Sequence, residues 1–186
     1  MVINRYQTLT LHLLLSLAVL VGTGFVAIGV SGALAAGLGA AFGKAFVSGD
    51  RPGVTYTPQR CADFLRFHPE SGDCTAAATA HHFDEVVEYR LAAGVLGLLV
   101  LGIAFLVRWR YRQLADERVL PASFSPTVGA SLFGLAALAL MGPSLLQMVF
   151  VGPSGVGKLL SGGVVSLVMF VAYAAALLRA LRAHLA

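Results

Sequence analysis

The sequence predicts an all-α integral membrane protein: a four-transmembrane-helix bundle whose helices 1 and 2 extend outside the bilayer and carry a disulfide-stapled helical outer loop. Three observations lead there. Of the 186 residues, 58% are hydrophobic and only 12% charged, about half the charge of an ordinary soluble domain, and the mean hydropathy is +0.81. The apolar residues gather in four runs, three of them near the ~20 residues a helix needs to cross the ~30 Å hydrocarbon layer and the first well beyond it. Both cysteines fall in the one sizeable polar stretch, between the first two runs. The composition also excludes a disordered chain, which would be apolar-poor and charge-rich. A nucleic-acid partner is not expected, because the net charge of +4 comes from few residues.

The first run, Thr8 to Gly43, contains no Asp, Glu, Lys or Arg, and its one ionisable side chain is His12. Ala33-Leu34-Ala35 could pass as a signal cleavage site, but signal h-regions span about 7–15 residues and the apolar stretch here is longer. It is therefore expected to stay as a span. As one helix, residues 9–46 would measure about 57 Å at ~1.5 Å per residue, nearly twice the bilayer core. The second run, Leu91 to Val107, is extended backwards by Val86 and Val87. Begun near Thr75, that helix would be about 50 Å long. Both excesses fall on the outer side, so the two helices are expected to leave the membrane together for roughly 20 Å.

Thr23, Ala27, Ser31, Ala35, Gly39 and Gly43 recur every four residues, with Gly32, Ala36 and Ala40 on a neighbouring stripe. Small residues at this spacing let helix backbones approach within a membrane, so this stripe is the expected packing face. The second helix offers Ala77, Ala78, Ala80, Ala93, Gly94 and Gly97. The alternative is a helix broken at the glycines around 37–43 and followed by a re-entrant or surface-lying segment.

The third run spans Thr127 to Val151, opened by Ser125 as N-cap and Pro126 at the first helical position. Gly142-Pro143 should kink it by removing a backbone donor, and Gln147 can hydrogen-bond to a neighbouring span. The fourth runs from Leu159 to Leu178. The chain thus divides into residues 1–46 (first span with its outer extension), 47–90 (outer loop) and 91–186 (the remaining spans).

Lys and Arg density beside the spans sets orientation. Arg108, Arg110, Arg112 and Arg118 crowd the short loop between spans 2 and 3, with Trp109 and Tyr111 as interfacial aromatics. Arg5 precedes the first span, and Arg179 and Arg182 follow the fourth. The opposite side dilutes Lys44, Arg51, Arg60, Arg66 and Arg90 among seven acidic residues, with Lys158 in the last loop. Both termini are expected in the cytoplasm of a plasma (inner) membrane. Eleven arginines against two lysines, with abundant Ala and Gly, suit a high-GC bacterium.

In the outer loop, 48–53 reads as a turn and Thr57-Pro58 as a helix start, and Cys61, Phe64, Leu65 and Phe67 give an amphipathic turn or two. Residues 68–73 break it, and Cys74 opens the second helix. Cys61 and Cys74 lie on the oxidising side of this topology, so a structural disulfide is expected. Its spacing is not that of a C-x-x-C redox pair.

His81, Glu85 and Glu88 share a helical face, the i, i+4 and i+3 spacing of zinc or di-iron ligands in bundles, and His68 could approach across the hairpin. The competing reading is a solvated acidic stretch in which Asp84, Glu85 and Glu88 pair with Arg90 or Arg66. Residues 152–158 satisfy most of a P-loop pattern, but Leu159 stands where Ser or Thr must hold Mg²⁺. They read as a tight loop between helices.

No charge lies clearly inside a span, which disfavours proton relays and voltage sensors. The absence of an internal repeat disfavours a duplicated transporter. The plan, with its disulfide-bearing first outer loop, resembles that of claudin-type four-span proteins in plan alone, since the tryptophan-containing loop signature of that family is missing. The expected function is a non-enzymatic membrane subunit, without cofactor, that docks or stabilises a membrane-protein partner through its outer loop. The alternatives are a small transporter or channel component formed by homo-oligomerisation, and a metal-dependent membrane enzyme using residues 81–88.

Overall fold

The computed structural model of the chain describes residues 5–49, 56–110 and 124–185, and these are helical apart from short turns. Six α-helices follow in order: α1 (Arg5–Phe42), α2 (Lys44–Ser48), α3 (Pro58–Phe67), α4 (Cys74–Arg110), α5 (Phe124–Phe150) and α6 (Val156–Leu185). The turn expected at 48–53 lies largely outside the described residues, as do Tyr111, Arg112 and Arg118.

Helices α1, α4, α5 and α6 are each long and apolar enough to cross a membrane. Few residues in the most apolar stretch of each are buried inside the protein. Leu98, Leu99, Ile103 and Phe105 of α4, and Leu135, Leu138, Val149 and Phe150 of α5, are all at least 60% exposed. Helices that are apolar all round require an apolar surrounding on every side.

Helix α1 runs unbroken through Gly37 and Gly39 and ends at Phe42, so the expected continuation to residue 46 is replaced by a bend. Gly43 takes φ +90°, a conformation open to glycine at little cost, and α2 turns aside to wedge against α4 and α6. Val47 is fully buried there with Ala35 and Phe83, and the Ser48 hydroxyl donates to the Thr79 carbonyl at 3.2 Å.

Helix α4 begins one residue before the expected start and continues to Arg110, about 55 Å in all. Asp73 caps it, its carboxylate accepting from the Ala76 amide at 2.7 Å. The third long helix begins at Phe124 rather than behind a Ser125 cap, which puts Ser125 and Pro126 inside its first turn. That position is as tolerant of proline as N1, because amides of the first turn have no intrahelical acceptor. Pro143 sits inside α5 without ending it.

Two antiparallel pairs result, α1 with α4 and α5 with α6, joined chiefly through α1 and α6. In the first pair Gly29 faces Gly94 backbone to backbone, Gly22 and Gly97 meet one another's helix lower down, and Gly32 lies against Arg90. In the second, Gly129 is covered by Tyr173, Gly134 by Phe170 and Gly163 by Met141. The principal contacts of α4 are with α1, α2, α3 and the turn before it, not with α5 or α6. A cleft is left between the pairs.

Candidate functional site

Two places carry the polar chemistry of the described residues: the cap above α4 and the cleft between the helix pairs. The cap is built from the turn residues upward. The Thr57 hydroxyl accepts from the Arg60 amide at 3.5 Å and Pro58 opens α3, as N-cap and N1 preferences dictate. The helix lays Cys61, Phe64 and Leu65 inward, all half-buried, and leaves Gln59, Arg60, Ala62, Asp63, Arg66 and Phe67 exposed. A 3-10 turn, Pro69–Ser71, and Gly72 at φ +73° return the chain to α4. Cys61 and Cys74 stand at disulfide distance, with Cα atoms 5.3 Å apart, inside the range a cystine spans.

The histidines lie beneath this cap. His81 has its ring centroid 5.4 Å from Phe64, 6.0 Å from Phe67 and 6.0 Å from His68. Tyr56 meets Phe64 edge-on at 5.3 Å. His82 lies 3.5 Å from the Glu85 carboxylate, while Glu85 and Glu88 are exposed. No group of three or more His, Cys, Asp or Glu side chains gathers as a metal site among the described residues. His81, Glu85 and Glu88 share a helix but do not act on a common point, because His81 is taken up by the aromatic underside of α3.

His68 is the cap's buried histidine, 8% exposed. Its Nδ1 lies 3.6 Å from Glu70 and its Nε2 3.7 Å from Asp84, and Asp84 is 3.7 Å from Lys44. This chain of polar contacts links the turn after α3 to α4 and α2. The Glu70 carboxyl is held below its ordinary value, first by a backbone hydrogen bond and then by His68.

The small-residue stripe divides between two faces. Ala27, Ser31, Ala35 and Gly39 are buried, Thr23 is half-buried and Gly43 is exposed. Gly39 lies under Phe83 of α4, and Ala35 packs in the same cluster. Ala27 and Ser31 instead face the cleft. The closest backbone approach to α4 runs along Gly22, Gly29 and Gly32, one register away from the stripe.

The cleft encloses a cavity of about 850 Å³, with walls from α1, α4, α5 and α6 and with Ser48 at its upper end. Arg90 crosses it. Instead of pairing with the acids of its own helix, its Nη1 donates to the Ser161 hydroxyl at 2.8 Å and its Nη2 to the Lys158 carbonyl at 2.9 Å. Ser161 is fully buried and in turn donates to the same carbonyl at 3.1 Å. The loop with the partial P-loop pattern is the tip of the α5–α6 hairpin. Gly152 and Gly155 there have positive φ, the Gln147 amide donates to the Ser154 carbonyl at 2.9 Å, and the Gly155 amide donates to Ala45 at 3.0 Å. Gln147 therefore closes its own hairpin rather than reaching a neighbouring span.

Against known protein families, curated proteins and solved structures, the chain finds no match. Its function has to be argued from the cap and the cleft.

The sequence pointed to the cap residues but not to Arg90 or Lys158 as a pair. The available signal was the position of both at the edge of an apolar run, where a long cationic side chain can reach along the helix toward polar surroundings.

Proposed function

We propose that the chain is a non-enzymatic, multi-pass subunit of a bacterial plasma (inner) membrane, with both termini cytoplasmic, whose outer cap docks a membrane-protein partner. The observation that carries this reading is α3. It is held by an N-cap, an aromatic cluster and a cysteine pair, yet it buries none of its residues fully. Ordering a ten-residue helix costs roughly 1–2 kcal/mol per residue in backbone entropy, and burial recovers little of that here. A stiff helix whose outward face joins Arg60, Asp63 and Arg66 to an exposed Phe67 is suited to presentation. Interfaces favour aromatic and arginine anchors on surfaces that need no reordering. The cysteine pair supports an oxidising compartment for the cap, and the arginine density of the 2–3 loop supports the opposite side for the termini.

The test is site-specific photo-crosslinking in the native membrane, from Asp63 on the outer face of α3 and from Leu98 on the exposed face of α4. The reading expects Asp63 to capture one foreign protein that co-purifies stoichiometrically in mild detergent and is lost on Phe67→Glu. Crosslinks from Asp63 only to lipid or to a second copy of the chain would reject docking, the latter in favour of a homo-oligomeric channel or transporter component.

A further inference from the structure

We infer that the cleft between the helix pairs is a binding site for one aminophospholipid, its phosphate held between Arg90 and Lys158 and an acyl chain lying between α1 and α5. This goes beyond the docking role and rests only on the four helices spanning a membrane.

The uncompensated charge is the first argument. Arg90 is half-buried, and both of its hydrogen bonds go to neutral oxygens. Among the described residues no carboxylate lies within ion-pair distance of it. A guanidinium offers five N–H donors, so three remain for a ligand. Charges withdrawn from water are ordinarily paired, and planar guanidinium forks match phosphate oxygens. Lys158, whose carbonyl takes one of the Arg90 hydrogen bonds, lines the same cavity and brings a second positive charge to it.

The second argument is how polarity is distributed along the cavity. Arg90 is level with Gly32 of α1, whose Cβ would stand 2.7 Å from the Arg90 Cβ. His82, Glu85, Tyr89 and Ser48 line the end at or above that level, the Ser166 hydroxyl stands along the wall, and Leu20, Leu132 and Phe133 line the far end. Leu20 is twelve residues from Gly32, about 18 Å along the helix, close to half the ~30 Å hydrocarbon layer. The cavity therefore has a charged mouth and an apolar shaft about one leaflet deep, and its volume of about 850 Å³ suits a ligand rather than a packing defect. Glu85 lies roughly 7–8 Å beyond Arg90 on the same helix. A carboxylate there favours a headgroup that ends in an ammonium over one that adds a second negative charge.

The experiment uses the full-length protein, delipidated in mild detergent and then titrated with phosphatidylethanolamine, phosphatidylglycerol or inorganic phosphate while native mass spectrometry reads bound mass. Gly24→Leu fills the shaft from a position where a Cβ meets nothing within 4 Å. Lys158→Gln removes one charge at the mouth from an exposed side chain. One phosphatidylethanolamine should bind per chain, at least about 5-fold tighter than phosphatidylglycerol, and each variant should weaken it about 5- to 10-fold. Inorganic phosphate alone should not saturate the site. Equal binding of both lipids, binding that neither variant changes, or saturation by free phosphate would overturn the inference. Those failures would leave the membrane reading intact. Release of the protein from membranes by an alkaline carbonate wash would remove both.

Discussion

The Gly29–Gly94 crossing gives the sharpest test of how the two longest helices are held. A Cβ placed on Gly94 would come within 2.7 Å of the Gly29 Cα, and one on Gly97 within 2.6 Å of the Val26 amide nitrogen. The obstacle in both cases is backbone, which cannot rotate aside as a side chain can. In Gly94→Ala the helices must therefore separate by roughly 1 Å, and a gap of that size forfeits about a quarter to a half of the dispersion well for the atoms lining the seam. Overpacking of this kind costs about 1–3 kcal/mol. Helix propensity works the other way, Ala being better than Gly by about 1 kcal/mol. The net expectation is a loss of about 0–2 kcal/mol. Gly102→Ala is the internal control, because a Cβ there meets nothing within 4 Å, leaving only the propensity gain of about 1 kcal/mol. Gly94→Ala should thus fall below Gly102→Ala by about 1–3 kcal/mol, the overpacking cost alone, since the propensity gain is common to both. Denaturant unfolding in mixed micelles, followed by helical circular dichroism, measures the difference. Equal stabilities would mean that α1 and α4 are not in backbone contact along the glycine seam.

Two further outcomes concern the cap. Cys74→Ser opens a loop for which the entropy model assigns about 3 kcal/mol, so amides of α3 should exchange hydrogen about 100-fold faster while those along the α1–α4 seam keep their protection; unchanged exchange in α3 would refute a stabilising cystine. Glu70 has a folded-state pKa below its ordinary value of 4.5, so its contribution is complete above about that pH and is lost as pH falls through the lowered folded value. Acid titration of Tyr56 fluorescence should show the cap loosening below pH 4.5 in the parent and a flatter response in Glu70→Gln, and superimposable curves would dismiss the linkage.

What was legible in the sequence was mostly what one-dimensional physics controls. Helix existence follows from apolar run length, and the start of α4 was found to within a residue because Asp73 and Cys74 follow a Pro/Gly break. The end of α1 was misplaced because it is a tertiary decision. The first run is rich in glycine, and Gly24 and Gly37 stay helical although a Cβ at either would meet nothing within 4 Å. Only Gly43 bends, and what distinguishes it is the segment that follows. Val47 finds a fully buried place beside Ala35 and Phe83, and Lys44 reaches Asp84 and the face of Phe83. Those rewards come from α4, some forty residues away, and no local pattern encodes them. The surroundings of His81 were hidden from the sequence for a related reason. Spacing along α4 placed His81, Glu85 and Glu88 on one side, but α3 lies across that side and engages His81 through Phe64 and Phe67.

Arg90 marks the limit of that kind of reading. Its neighbours in sequence include three carboxylates, but Asp84, Glu85 and Glu88 lie six, five and two residues before it, so none stands at the i, i+3 or i+4 spacing that pairs side chains along a helix. It spans the cleft instead because the two helix pairs leave a gap there, and a long guanidinium can reach two fixed acceptors at the start of α6. Such a strut is short of one thing, a negative charge. Were Arg90 only a brace between helices, a neutral donor such as glutamine could make comparable bonds to Ser161 and to the Lys158 carbonyl without the penalty of desolvating a cation. A cation placed beside a second cation, at the mouth of an apolar shaft, makes physical sense when the missing anion arrives with the ligand. The cap and the cleft can then serve one protein without competing, the cap through its outward surface and the cleft through the lipid that fills the space between α1 and α5.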